Sequence, residues 1–147
     1  MERKRQMMGA AGRSSGKKRA RLEKAAVESG VNNAELLYIH SNGSPLRHIP
    51  ARPVIEPAIT EPGNKALITK ELGKAAEAGL AGNAADVTMR LNRAGMLAQN
   101  ICRAWFVDPR NGWAPNAPST IRRKGSDRPL IDTGALRQAI TYIVVQE

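Results

Sequence analysis

Asn116-Ala-Pro-Ser-Thr-Ile-Arg-Arg-Lys-Gly-Ser-Asp-Arg-Pro-Leu-Ile-Asp-Thr-Gly-Ala-Leu-Arg-Gln-Ala-Ile-Thr-Tyr-Ile-Val-Val145 is the stretch on which the reading of the fold turns. Pro, Gly, Asn, Ser and Asp punctuate it into two loops, one at Asn116 to Pro118 and one at Lys124 to Pro129. Asp132 or Thr133 is placed to accept a hydrogen bond from the first N–H groups of a short helical turn through Gly134 to Gln138. From Ile140 to Val145 every residue is β-branched or aromatic, the composition of a strand covered on both faces. That strand makes the expected fold α+β.

The helices lie upstream. Val87, Leu91, Ala94, Ala98, Ile101 and Trp105 step by four and three along one stripe, with Asp86 in the first turn and Asp108-Pro109 and Asn111-Gly112 as the stop. Leu67 or Ile68, Leu72, Ala75 or Ala76 and Leu80 form a similar stripe over Asn64 to Leu80, with Lys65, Lys70, Glu71, Lys74 and Glu77 mostly away from it. The short link Ala81-Gly82-Asn83 predicts an antiparallel pair. Residues 34 to 40, Ala-Glu-Leu-Leu-Tyr-Ile-His, alternate as a strand that ends in the Asn42-Gly43 turn. Pro45, Pro50, Pro53, Pro57 and Pro62 then predict a stiff, exposed connector. The expected architecture is a small antiparallel sheet with two antiparallel helices on one face, a Pro-rich loop and an extended basic N-terminal arm. Its domains are the arm, partly helical, at 1–30 and a single α+β domain at 31–147.

Aromatic residues make up only 3% of the chain, so its core must be built mainly from Leu, Ile, Val and Ala and will be thin. A domain of this kind often gains stability from neighbouring subunits. The formal charge of +10 points to an acidic partner, either nucleic acid or an electronegative protein surface. Residues 1 to 24 hold nine of the 23 Lys and Arg, namely Arg3, Lys4, Arg5, Arg13, Lys17, Lys18, Arg19, Arg21 and Lys24. This arm reads either as an electrostatic grip or as a solvated tail. Arg122, Arg123 and Lys124, with Arg110 and Arg128 nearby, are a second basic cluster for which phosphate or acidic-subunit contact competes with simple solubility. Trp113, in a loop, is either tucked under its own domain or an anchor into a neighbour.

The lone Cys102 excludes a disulfide framework and a cysteine-based zinc site. His40 and His48 have no metal-pair spacing. Asp127 and Asp132 read as a turn residue and a cap rather than an acid–base pair, and Ser119 and Ser126 have no nearby His. No cofactor and no catalytic constellation is expected. Without a long apolar run or an apolar N-terminal stretch, neither a membrane span nor export through a signal peptide is expected.

Two segments resemble a known family in the order that family uses. Asn116-Ala-Pro-Ser-Thr-Ile, Lys124-Gly125-Ser126-Asp127, Pro129-Leu-Ile-Asp-Thr-Gly134 and Leu136-Arg137-x-x-Ile140 resemble the C-terminal signature of phage tail-completion and neck proteins, in the virion-morphogenesis family of long-tailed phages. Tyr38-Ile39-His40-Ser41-Asn42-Gly43-Ser44-Pro45 and Ile49-Pro50-Ala51-Arg52-Pro53 resemble an upstream segment of the same family. Such proteins usually begin with a further strand-bearing region, where this chain has its basic lead. The resemblance implies a non-enzymatic structural protein of the virion neck or tail end, made in the host cytoplasm. It would assemble as a ring with copies of itself, between neighbouring neck, connector or tail proteins, and could touch packaged DNA non-specifically. The subunit-interface candidates are Asn42, Pro45, Ile49, Pro50, Arg52, Pro53, Trp113, Lys124 and Asp127. Candidates for DNA or an acidic partner are Arg3, Lys4, Arg5, Arg13, Lys17, Lys18, Arg19, Arg21, Arg122 and Arg123. The alternative is a small basic nucleic-acid-binding protein.

Overall fold

The computed structural model describes residue 30 and residues 32–145. Apart from Gly30, the expected basic arm lies outside these residues. The chain divides into two units between Leu36 and Leu37. Among the described residues there are helices α1 (Asn33–Asn42), α2 (Ile55–Thr60), α3 (Pro62–Leu80), α4 (Ala84–Trp105), α5 (Pro118–Lys124) and α6 (Ala135–Ala139), with short 3-10 turns at Pro45–Arg47 and Pro109–Asn111. They contain no sheet. Among the described residues a single isolated bridge, Ser44 with Ile49, is the one β contact.

The expected α+β architecture with an antiparallel sheet is therefore wrong, for two physical reasons. Residues 34–40 are helical, not a strand, because a reciprocal cap sets the helix start. Asn32 Oδ1 accepts from the Glu35 N–H and a Glu35 carboxylate oxygen accepts from the Asn32 N–H, both at 2.9 Å. With that strand gone, the Ile140–Val145 run has no ladder to join. Its backbone starts extended at Ile140 and its exposure alternates residue by residue, yet it joins no backbone ladder among the described residues.

The two long helices form where their spacing predicts, but the α3 stripe is mostly not its buried face: Leu67, Leu72 and Leu80 are exposed, and Ala75 and Ala78 are the buried residues. Glu61 caps α3, its carboxylate accepting from the Asn64 N–H at 2.8 Å, and Pro62 occupies the first turn where no N–H is needed. Asn83 caps α4 by accepting from the Asp86 N–H. The α3–α4 hairpin is the most extensive helix contact, and α2 packs on both members.

The core sits at the C-terminal end of α4. Val54, Ala58, Cys102, Trp105 and Phe106 are buried together, with Leu37, Ile59, Ile101, Trp113, Leu130, Ile131, Leu136 and Ile140 packed around them. Residues 54–60 are thus not part of an exposed connector. Pro57 falls in the first turn of α2, where proline is tolerated, so the helix forms and carries Val54 and Ala58 into the core. Between the two expected loops, residues 118–124 form helix α5, started by Pro118 and stopped by Gly125 in the left-handed region at φ 71°.

Candidate assembly surfaces

The first motif is a helix end followed by a tight return. Gly43, at φ +71°, closes that return where a side chain has no room. A Cβ there would lie 2.7 Å from the Ala51 nitrogen and from the Ile49 carbonyl oxygen. Ser44 and Ile49 exchange backbone hydrogen bonds, and the Arg52 N–H donates to the His40 carbonyl at 2.7 Å. The chain is then aimed inward at Arg52 and Val54.

Arg52 is only 7% exposed. Its Nε and Nη2 both donate to the Ala114 carbonyl, at 3.1 and 2.8 Å, and Nη2 also donates to Pro115. Trp113 returns the connection, its Nε1 donating to the Pro53 carbonyl at 3.0 Å. The Trp113 ring meets Phe106 edge to face at 5.7 Å between centroids. The first motif is therefore stapled, beside the core, to residues 113–115, which lie some sixty residues on and lead directly into the second motif.

Further along, Asn116 Nδ2 donates to the Asp127 carbonyl and Lys124 Nζ to the Arg128 carbonyl, closing the loop after α5. Burial pushes the Lys124 ammonium below its ordinary pKa. Of the predicted interface residues, Arg52, Trp113 and Lys124 make internal hydrogen bonds, and Asp127, itself exposed, accepts from Asn116 through its carbonyl. Asn42, Pro45, Pro50 and Pro53 are exposed and Ile49 is half-buried. Leu46, at the tip of the return, is 96% exposed.

Arg122 and Arg123 are exposed in the last turn of α5. Arg110 is different. It pairs with Asp108 at 2.6 Å and with Glu61 at 3.1 Å, and its guanidinium lies 5.7 Å from the centre of the Trp105 ring. Its positive charge is already matched within the chain. The candidates Arg3, Lys4, Arg5, Arg13, Lys17, Lys18, Arg19 and Arg21 lie outside the described residues.

Burial, then the Arg52 charge, lowers the His40 pKa, favouring a neutral imidazole whose Nδ1 is buried without a partner. Burial raises the Cys102 pKa, disfavouring the thiolate. No group of three His, Cys, Asp or Glu among the described residues could hold a metal ion. No described helix is long and apolar enough to cross a membrane.

Two residues that the sequence reading passed over hold the C-terminal run. Arg103 donates from Nε and Nη2 to the Ile140 carbonyl and from Nη2 to that of Gln138. Gly95, in the interior of α4, lies directly under the Tyr142 ring, and any Cβ there would collide with it. A glycine inside a strong helical pattern is the signal that was present. Nothing local marks Arg103. Compared with protein-family models, curated proteins and solved structures, the chain matches none.

Proposed function

We propose that this chain is a structural virion protein of the phage neck or tail end, working as a subunit of a ring that joins or completes head and tail. The supporting observation is the staple. The first segment that resembles the family is tied through Arg52 and Pro53 to Trp113, Ala114 and Pro115, the three residues immediately ahead of the second, so the chain brings the two segments to the same side of the fold. Such a protein acts by shape and contact. Each subunit of a closed ring needs two different complementary faces. Large apolar side chains left in solvent, Leu46 and Leu80 foremost, fit a subunit whose burial is completed by neighbours.

Mass measurement and negative-stain imaging of the purified full chain, alone and with neck or connector partners, test this reading. Discrete ring-shaped multimers are expected. A chain that stays monomeric under all these conditions overturns it. DNA binding separates it from the alternative of a small basic nucleic-acid binder. A ring subunit should bind duplex weakly, without sequence preference and less with added salt, and gain strength on assembly. Tight binding by the monomer at physiological salt favours the alternative.

A further inference from the structure

The staple leaves one edge of Arg52 free. Three of the five guanidinium N–H groups are used on the Ala114 and Pro115 carbonyls, one from Nε and two from Nη2. Both N–H groups of Nη1 are unused, and Nη1 reaches solvent although the residue as a whole is only 7% exposed. The bonds to the carbonyls hold the guanidinium plane in one orientation, so this free edge is fixed in place.

Hydrogen bonds bring further cations to the same corner. Arg52 Nη2 is bound to Pro115, the next residue Asn116 donates to the Asp127 carbonyl, and the Arg128 carbonyl beside it accepts from Lys124 Nζ at 2.8 Å. That bond uses one of the three ammonium N–H groups of Lys124 and leaves two. Burial lowers the Lys124 pKa, the Asp132 charge opposes that, and the Arg52 and Arg123 charges lower it further, so all three lie within electrostatic reach of the ammonium. Arg122, Arg123 and Arg128 are exposed, and their side chains make no ion pair with the described residues.

Elsewhere the fold matches its cations, Arg110 with Asp108 and Glu61, Lys74 with Glu71, and Arg90 with Asp86. Here it does not. Arg52 and residues 116–132 carry five cationic side chains against two carboxylates, Asp127 and Asp132. His40, whose neutral form is favoured by burial and by the Arg52 charge, adds none.

We infer that this corner is an oxyanion site and that its ligand is a phosphate group, bound by the free Nη1 edge of Arg52 and the Lys124 ammonium with Arg123 alongside. The donors favour phosphate over a carboxylate. Unused N–H groups on two separate side chains call for several acceptor oxygens, and a surplus of three positive charges is better met by an anion that can carry two. Crowding like charges costs energy in the empty corner, and a bound anion offsets that cost. Because Arg52 is already held, little further ordering is needed on binding. A nucleic-acid backbone and free phosphate share this chemistry. The inference does not rest on the ring reading: it concerns a single chain, so either can fail alone.

Inorganic phosphate titrated into the full chain at constant ionic strength, balanced with chloride, tests the site by NMR of the Arg52 Nε–H and of the Lys124 carbon bonded to Nζ. Both signals should move together and saturate. With phosphate bound, the Lys124 titration midpoint should shift to higher pH, since a neighbouring anion favours the ammonium. Arg123→Gln alters an exposed side chain that makes no ion pair in the fold, and should weaken phosphate binding about threefold or more with the melting temperature unchanged. Lys70→Gln removes the same charge from an exposed position on α3 and should leave binding nearly unchanged. A short DNA duplex separates the sources. Displacement of phosphate from both side chains assigns the group to a nucleic-acid backbone, and unmoved signals assign it to free phosphate. Signals that drift without saturating, equal effects of Arg123→Gln and Lys70→Gln, or acetate acting as well as phosphate would each overturn the inference.

Discussion

Helix α4 is packed by different means at its two ends. Its C-terminal end carries Cys102 and Trp105, with Phe106 following, into a cluster closed by Val54, Ala58 and the edge-on Trp113 ring. Toward the α3–α4 turn the hairpin buries only alanines, Ala75 and Ala78 on α3 and Ala94 on α4. There Leu72, Leu80, Met89 and Met96 are exposed, and Ile68, Val87 and Leu91 are only half-buried. Small side chains let two helices approach but remove little apolar area from water, and burial free energy follows that area. Within this unit the bulky end is the anchor, and the hairpin tip retains apolar surface for something else.

The sharpest way to break this contrast is to empty the anchor. Phe106 is among the largest fully buried side chains, and Phe106→Ala should cost about 3–5 kcal/mol in denaturant unfolding, followed by Trp fluorescence. A loss below about 1 kcal/mol would mean that the anchor lies elsewhere.

Arg52→Met should come next. It keeps most of the apolar stem but leaves the Ala114 and Pro115 carbonyls without their buried donor, a loss of about 2–3 kcal/mol. Faster proteolysis in the segment after Gly112 would show that the lost stability is that of the staple. Arg52→Lys should recover only part of it, because an ammonium cannot reproduce the planar fork. Full recovery by Lys would reduce the staple to a point charge.

The same contrast explains what the sequence could disclose. Helices α3 and α4 were legible because their signal is local, a stripe at three- and four-residue spacing with Asn83 ahead of Asp86. Helix α1 was misread because alternation at Leu36, Tyr38 and His40 outweighed the Asn32-x-x-Glu35 cap, which is what sets the start. In α2 the prolines drew attention from Val54 and Ala58. The C-terminal run has strand composition and an extended start at Ile140, but a strand also needs a neighbour, and composition carries no information about whether one exists. Of the candidate site, the motif segments were legible as segments. That Arg52 turns inward to hold residues 114 and 115 was not, since this depends on contacts about sixty residues apart. Trp113 was left open between an internal and an anchoring role, and the structure shows it half-buried with internal contacts to Phe106 and Pro53.

The smallest effect should come from the other end of the contrast. Leu80 closes α3 with 91% of its surface in solvent, so in a lone subunit it has almost no burial to lose. Leu80→Gln keeps helix propensity nearly constant and should change unfolding free energy by less than about 0.5 kcal/mol, as substitutions away from packed features do. In an assembly the outcome should differ. If the tip is one of the surfaces through which subunits meet, the same substitution replaces a buried methyl pair by an amide that must be desolvated, and multimers should dissociate at higher protein concentration than those of the unaltered chain. The informative measurement is therefore a pair: unfolding of dilute subunit and sedimentation across a concentration series. A stability loss in dilute subunit comparable to that of Phe106→Ala would place Leu80 in the fold after all and erase the difference between the two ends. Unchanged stability with unchanged assembly would leave the difference in place but remove the tip from the set of contact surfaces.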